Sequence, residues 1–157
     1  MSKAGEEALQ RICLLNALSI ASGGLATIFM GDEVGLLNDH DYLTDPTRAH
    51  EGRWVHRPEM DWFDADSPTA QRISSDIRVL RDARVASRGI ESPAAFETGH
   101  TAILGMNCGQ DLIFLNFGAI PLPLTLPSGR INRLTGQAIG QRTTIDAWDV
   151  LWTAAAQ

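Results

Sequence analysis

Cysteine is scarce in this chain, two residues among 157. Cys13 and Cys108 lie far apart among apolar or small neighbours. They offer neither a disulfide framework nor the close spacing of a zinc site. Both read as buried thiols of a reducing compartment, which predicts a cytoplasmic protein. A long apolar run is missing too: the apolar part of the first predicted helix is too short and too interrupted to span a bilayer. The start, Met-Ser-Lys-Ala-Gly-Glu-Glu, is polar and acidic, unlike a secretory signal. No internal repeat or low-complexity tract is present. Positive charge is the minority sign, 13 Lys and Arg against 19 Asp and Glu, for a net charge of −6. That balance argues against nucleic acid or an anionic membrane as partner. No Ser-His-Asp arrangement, nucleophile elbow or phosphate loop is recognisable. His40, His50 and His56 share one loop with several carboxylates, but their spacing fits neither an EF-hand nor a helical zinc motif. No metal and no cofactor are expected.

What the chain does have is an ordinary globular composition, 44% hydrophobic and 20% charged. That is enough for one good core or two small ones. The acidity is local. Between Asp32 and Asp66 ten Asp and Glu face three Arg, a net of −7, whereas the rest of the chain has nine acids and ten bases. A charge run of this kind is either a solvated face or a pocket for a neutral polar ligand such as a sugar, whose hydroxyls carboxylates accept.

Glu6 to Ser22 reads as a helix, apolar over much of its circumference, with acids at its amino end and Gly23-Gly24 as its stop. Leu25 to Met30 is almost continuously apolar and reads as a strand buried on both faces. It ends at Gly31-Asp32-Glu33. A long polar stretch follows, with turn formers at Asn38-Asp39-His40-Asp41 and Asp45-Pro46. A connection of that length predicts a lid or one wall of a ligand pocket. Trp54, Trp62 and Phe63 in it are either stacking platforms or anchors that pin the loop. Ser67-Pro68 opens a second helix, with Ser as cap and Pro in the first turn. Ile73, Ile77, Leu80 and Ala83 form its apolar face, Arg81, Arg84 and Arg88 lie toward its carboxyl end, and Gly89 stops it. From Ser92 onward the pattern turns to period two. Strands are predicted at Ala94 to Glu97, Thr101 to Met106, Asp111 to Asn116, Leu122 to Leu126, Arg130 to Thr135 and Thr143 to Trp152, arranged as a small antiparallel sandwich. The boundary falls near Gly89 to Pro93, giving 1–91 and 92–157. A single buried strand in the first half needs neighbours that these residues do not encode.

The segment GGLATIFMGDEVG resembles the eighth-strand region of the α-amylase superfamily, glycoside hydrolase family 13. NDHDYLTDP followed by GRWVHRP is more narrowly similar to amylosucrase and related sucrose hydrolases. DLIFLNF and TTIDAWDVLW resemble strands of that group's terminal sandwich. The resemblance implies an α/β plus β chain: the last βα segment of a (β/α)8 TIM barrel followed by a small antiparallel β-sandwich. It implies a parent enzyme that cleaves sucrose with retention and passes the glucosyl group to an α-glucan or to water. Retaining chemistry needs two carboxyl groups flanking the glycosidic bond. In the family these stand on the fourth and fifth strands, with a third Asp after the seventh, all upstream of the segment this chain matches. No catalytic residue is therefore expected here, and the upstream barrel portion is the expected partner. Arg53 matches the arginine that closes the bottom of the glucose pocket through a salt bridge. An acid of its own loop is the competing partner. Asp32 and Glu33 are expected as structural acceptors behind the site, since neighbours on an extended strand point to opposite faces and cannot flank one bond. Trp54, His56 and Arg57 are expected to support the same pocket. A stand-alone carbohydrate-binding or assembly module is the alternative reading.

Overall fold

The computed structural model describes residues 3–60, 64–87 and 92–156. Trp62, Phe63, Arg88 and Gly89 lie outside them, as does most of the predicted boundary between 89 and 93. The chain divides into two compact units, one made of residues 1–27 and 75–157, the other of residues 28–74.

The larger unit is a sheet sandwich with helical cover. Its strands are β1 (Ala94–Phe96), β2 (Ile103–Cys108), β3 (Asp111–Asn116), β4 (Leu122–Thr125), β5 (Arg130–Asn132), β6 (Ala138–Ile139), β7 (Arg142–Ile145) and β8 (Val150–Ala155). Six of them form one sheet in the order β1-β2-β3-β8-β5-β6, while β4 and β7 form a separate pair. Every pairing is antiparallel. The predicted antiparallel sandwich is therefore present. The expected strand Thr143 to Trp152 is two strands, because the chain turns through Asp146 to Asp149. Trp148 adopts φ 56° there, a left-handed conformation uncommon for a large side chain. Its ring carries the Arg11 guanidinium 4.1 Å from the centroid, a cation–π contact that offsets part of that strain.

The period-two pattern gives β3 two buried faces. Phe114 pairs with Leu151 and packs with Ile103, Leu124, Leu126 and Ile145 between the sheets. Ile113 pairs with Trp152 and Leu115 with Val150 on the opposite face. That face is the one available to the helices, and α1 (Lys3–Ala21) packs on β3. Leu9, Leu14, Ala17, Ile20 and Ala21 make the buried stripe of α1, and Leu80 and Ala83 that of α2 (Pro68–Ala86). The Arg84 guanidinium donates to the carbonyls of Ile20 and Gly24. It thereby satisfies acceptors that the end of α1 leaves open and places a cation where the helix dipole is negative.

The smaller unit is mostly loop. Leu25 to Met30, which spans its junction with the larger unit, is not a strand. Leu25 is 93% exposed, Phe29 55% and Met30 67%. The expected strand is absent for a physical reason: an extended segment is stabilised by partners on its edges, and the described residues supply none. Among the described residues, the expected barrel strand is not formed. Short 3-10 turns follow at Asp32–Val34, Asp41–Thr44 and Gly52–His56, with another at Asp64–Asp66. Ser67 caps α2 as expected, its hydroxyl oxygen accepting from the Ala70 N–H at 3.1 Å.

Candidate functional site

The candidate site is the loop from Gly31 to Pro58. Gly31 enters at φ 100° and Gly35 leaves at φ 70°, so both ends of the first turn need left-handed backbone. Gly35 also lies against Ile73: a Cβ there would stand 2.6 Å from the isoleucine Cδ1. Between the glycines, Asp32 and Glu33 occupy a 3-10 turn rather than the expected extended strand. The Glu33 carboxylate turns back and accepts from the Gly31 N–H at 2.7 Å, while its carbonyl accepts from the Ser74 hydroxyl at 2.8 Å. Asp32 faces outward.

The rest of the loop closes on itself. The Asp39 N–H donates to the Val55 carbonyl at 2.9 Å, joining its two arms. Asp39 and Asp45 each accept from a backbone N–H two residues on, as expected of these turn formers. Arg48 ties the turns together. It donates to Asp45 at 2.8 Å and to Asp39 at 3.2 Å, and its guanidinium lies 5.8 Å from the Trp54 ring centroid. Hydrogen bonds from the Thr47 hydroxyl and backbone, with that of Arg48, hold the Asp45 carboxyl down at about 2. Sequence reasoning passed over Arg48. The available signal was Asp45-Pro-Thr-Arg48, where an Asp-initiated turn returns an arginine to the same carboxylate.

Arg53, the expected substrate-binding residue, is 70% exposed and donates to Glu51 at 2.7 Å. That is the local pairing open to it. The Arg53 side-chain and backbone hydrogen bonds bring the Glu51 carboxyl down to about 2, so both partners are charged at neutral pH. Trp54 is half-buried, His56 Nδ1 meets Asn38 Oδ1 at 3.2 Å, and Arg57 is exposed. A depression of about 360 Å³ in this unit is lined by Val34 to Leu37 with Ser67 and Thr69, and none of the expected site residues borders it. Among the described residues, no group of three or more His, Cys, Asp or Glu is placed to hold a metal ion. No helix among them is long and apolar enough to cross a membrane.

If Arg48 is the tie, Arg48→Met leaves the fold intact but opens the loop. Cleavage by chymotrypsin at Tyr42 or Leu43 is then expected to rise severalfold, with the circular dichroism unchanged. Equal cleavage rates in the two proteins would remove Arg48 from that role. The Asp45 carboxyl is depressed below its free value, so the Asp45–Arg48 pair persists across the mildly acidic range. Its contribution is present above the usual carboxylate pKa of about 3.9 and is lost as pH falls toward the folded value.

No family model matches the chain. Its fold is similar to that of many solved structures. The type III pullulan hydrolase from Thermococcus kodakarensis aligns with a TM-score of 0.70 at 21% identity, over 95% of this chain and 24% of that one. The cyclic alpha-maltosyl-(1-->6)-maltose hydrolase from Arthrobacter globiformis aligns at 0.66 and 18% identity, over 94% and 31%. Ttha1563 from Thermus thermophilus aligns at 0.69 and 19% identity, over 94% and 31%. The chain therefore spans between 24% and 31% of these proteins. At these identities the likeness establishes the fold alone.

Proposed function

We propose that this chain is the carboxyl-terminal part of a retaining, sucrose-processing α-glucosyl transferase or hydrolase, similar to amylosucrase in glycoside hydrolase family 13. The observation that carries the reading is one-sided coverage: nearly all of this chain aligns, yet it aligns with less than a third of each protein named above. The sucrose assignment rests on GRWVHRP after GDEVG and NDHDYLTDP. In this reading the sandwich supports the barrel, the loop from Gly31 to Pro58 forms part of the pocket wall, and the catalytic carboxylates belong to the upstream barrel portion. Arg53 would exchange Glu51 for an acid of that portion, with Asp32, Glu33, Trp54, His56 and Arg57 in support. The exposed apolar side chains of Leu25, Phe29 and Met30 fit a strand that forms when a sheet edge is offered to it. Sucrose or an α-glucan is then the ligand of the joined enzyme, which acts in the cytoplasm.

The test is complementation. Incubated alone with sucrose, the chain is expected to release no glucose or fructose above background. Mixed with the barrel portion of an amylosucrase truncated at the matching point, it should restore fructose release. Failure to associate or to restore turnover, with both parts folded, would refute the reading. Turnover by the chain alone would refute the assignment of the carboxylates elsewhere.

A further inference from the structure

Arg130 opens β5 and Arg133 follows it, and the two share a single neighbouring acid. Arg130 is 8% exposed, yet no carboxylate pairs with it among the described residues. Its guanidinium donates to the Thr153 hydroxyl and carbonyl and to the Gln110 carbonyl, all neutral oxygens. Burial is the main force against its charge; Asp111 favours that charge and Arg133 opposes it. A buried cation is ordinarily matched by an acid, because bonds to neutral groups replace only part of its hydration. Asp111 is already committed. Arg133 takes both of its oxygens side-on, Nε to Oδ2 at 2.5 Å and Nη2 to Oδ1 at 2.9 Å. Two guanidiniums and one carboxylate leave a positive charge unbalanced beneath the surface.

A cavity of about 520 Å³ lies beside this group, bordered by Arg133, Asp111 and Gln110, with Gly109, Ala86 and Ala155 in the rest of its wall. That volume falls within the range of small-molecule pockets. The side-on pairing turns Arg133 Nη1 away from Asp111, and among the described residues no protein acceptor meets it. The Gln110 side chain, exposed in the turn between β2 and β3, is likewise unengaged among the described residues, so its amide is a second donor. Asp111 is 2% exposed and the Arg133 side chain 20%, so a ligand meets the cation first. One influence opposes an anion: α2 ends at Ala86, and the carboxyl end of a helix carries about half a negative charge. That is smaller than the charge Arg130 leaves unbalanced, so the balance favours an anion. The alanine side chains of the wall offer no hydrogen bond and suit an apolar body that carries the charge.

We propose that the cavity beside Arg133 and Gln110 binds a small organic oxyanion, a carboxylate or a phosphate monoester, whose charge balances Arg130. The proposal stands whether or not the chain is part of an enzyme. Titration of the isotopically labelled 157-residue chain with phenyl phosphate, benzoate and phenol tests it. The signals to follow are the Gln110 side-chain amide and the backbone amides of Gly109, Gln110 and Ala155. Saturable shifts are expected with at least one of the two anions and not with phenol. Tighter binding of phenyl phosphate assigns the site to phosphate monoesters, and tighter binding of benzoate assigns it to carboxylates. Gln110 is exposed and only its backbone carbonyl serves Arg130, so Gln110→Glu should keep the melting temperature. It should weaken anion binding by about tenfold, because it sets a like charge at the mouth of the cavity. Absence of saturable shifts with either anion, the same shifts with phenol, or equal binding by Gln110→Glu would overturn the proposal. None of these outcomes bears on the complementation experiment.

Discussion

Asp111→Ala is expected to lower the stability of the larger unit by about 3–5 kcal/mol, the usual cost of breaking a buried ion pair from one side. Asp111 is 2% exposed at the head of β3. Its Oδ2 accepts from the Ser87 hydroxyl, from Arg133 Nε at 2.5 Å and from Trp152 Nε1 at 3.0 Å, and its Oδ1 accepts from Arg133 at 2.9 Å. Three stretches of chain far apart in sequence thus meet on one carboxylate. Alanine would leave the Trp152 donor without a partner in the interior, whereas the Ser87 hydroxyl keeps the Ala83 carbonyl at 2.9 Å. Arg133 keeps 20% of its side chain in water and can turn outward, which places the expected cost toward the lower bound. Asp111→Asn, which retains an acceptor but not the charge, should lose less. Urea unfolding followed by far-ultraviolet circular dichroism reads both, and a loss below about 1 kcal/mol for alanine would show that water replaces the network.

The same carboxylate sets an acid limit. Burial pushes its pKa up, but hydrogen bonds from Arg133, Ser87 and Trp152 more than offset that, and the net direction is down. A carboxyl lowered by folding stabilises the native state above its unfolded pKa, near about 3.9, and that contribution is lost as pH falls through the lower folded value. Wild type should therefore lose stability below about pH 4 more steeply than Asp111→Asn. Parallel acid-unfolding curves would show that other carboxyls dominate.

Trp152→Ala carries the second large effect, about 3–5 kcal/mol, because it removes the largest fully buried side chain among the described residues and leaves a cavity between sheet and helices. Part of that loss is the Nε1–H bond to Asp111. Trp152→Phe separates the two contributions, since phenyl fills most of the space without the donor. Because the residues share a hydrogen bond, the double variant Asp111→Asn/Trp152→Phe should lose less than the summed single losses. Strict additivity would show that the indole N–H and the carboxylate are not coupled.

Neither residue stood out in the sequence, although a signal was there. In Asp111-Leu-Ile-Phe-Leu-Asn116, alternation puts the aspartate on the same face as Ile113 and Leu115, inside rather than out. An acid on an inward position needs partners, and these lie at Ser87, Arg133 and Trp152, distances in sequence that periodicity does not reach. Arg130 is similar: it is buried, and its guanidinium donates to the Thr153 hydroxyl and carbonyl and to the Gln110 carbonyl at 2.7–3.1 Å. Local patterns fared better. The Ser67 cap, the apolar spacing of α2 and the limits of β3 were readable because each depends on neighbours within a few residues. Leu25 to Met30 departs from its pattern for the opposite reason, since composition records a liking for a sheet and not whether one is on hand. In the candidate site, the turns at Asp39 and Asp45 were legible. The Arg48 tie was not, because it joins three turns whose approach only folding decides.

The wide sheet ends on both sides in very short strands, three residues in β1 and two in β6. So few free amides and carbonyls give a second molecule little to zip onto, which is how natural sheets resist stacking edge to edge. Concentrated solutions should accordingly form few amyloid-like fibres through the sandwich margins. Stickiness, where it appears, would be expected to come from bare Leu25, Phe29 and Met30 and to vanish when those three are made polar.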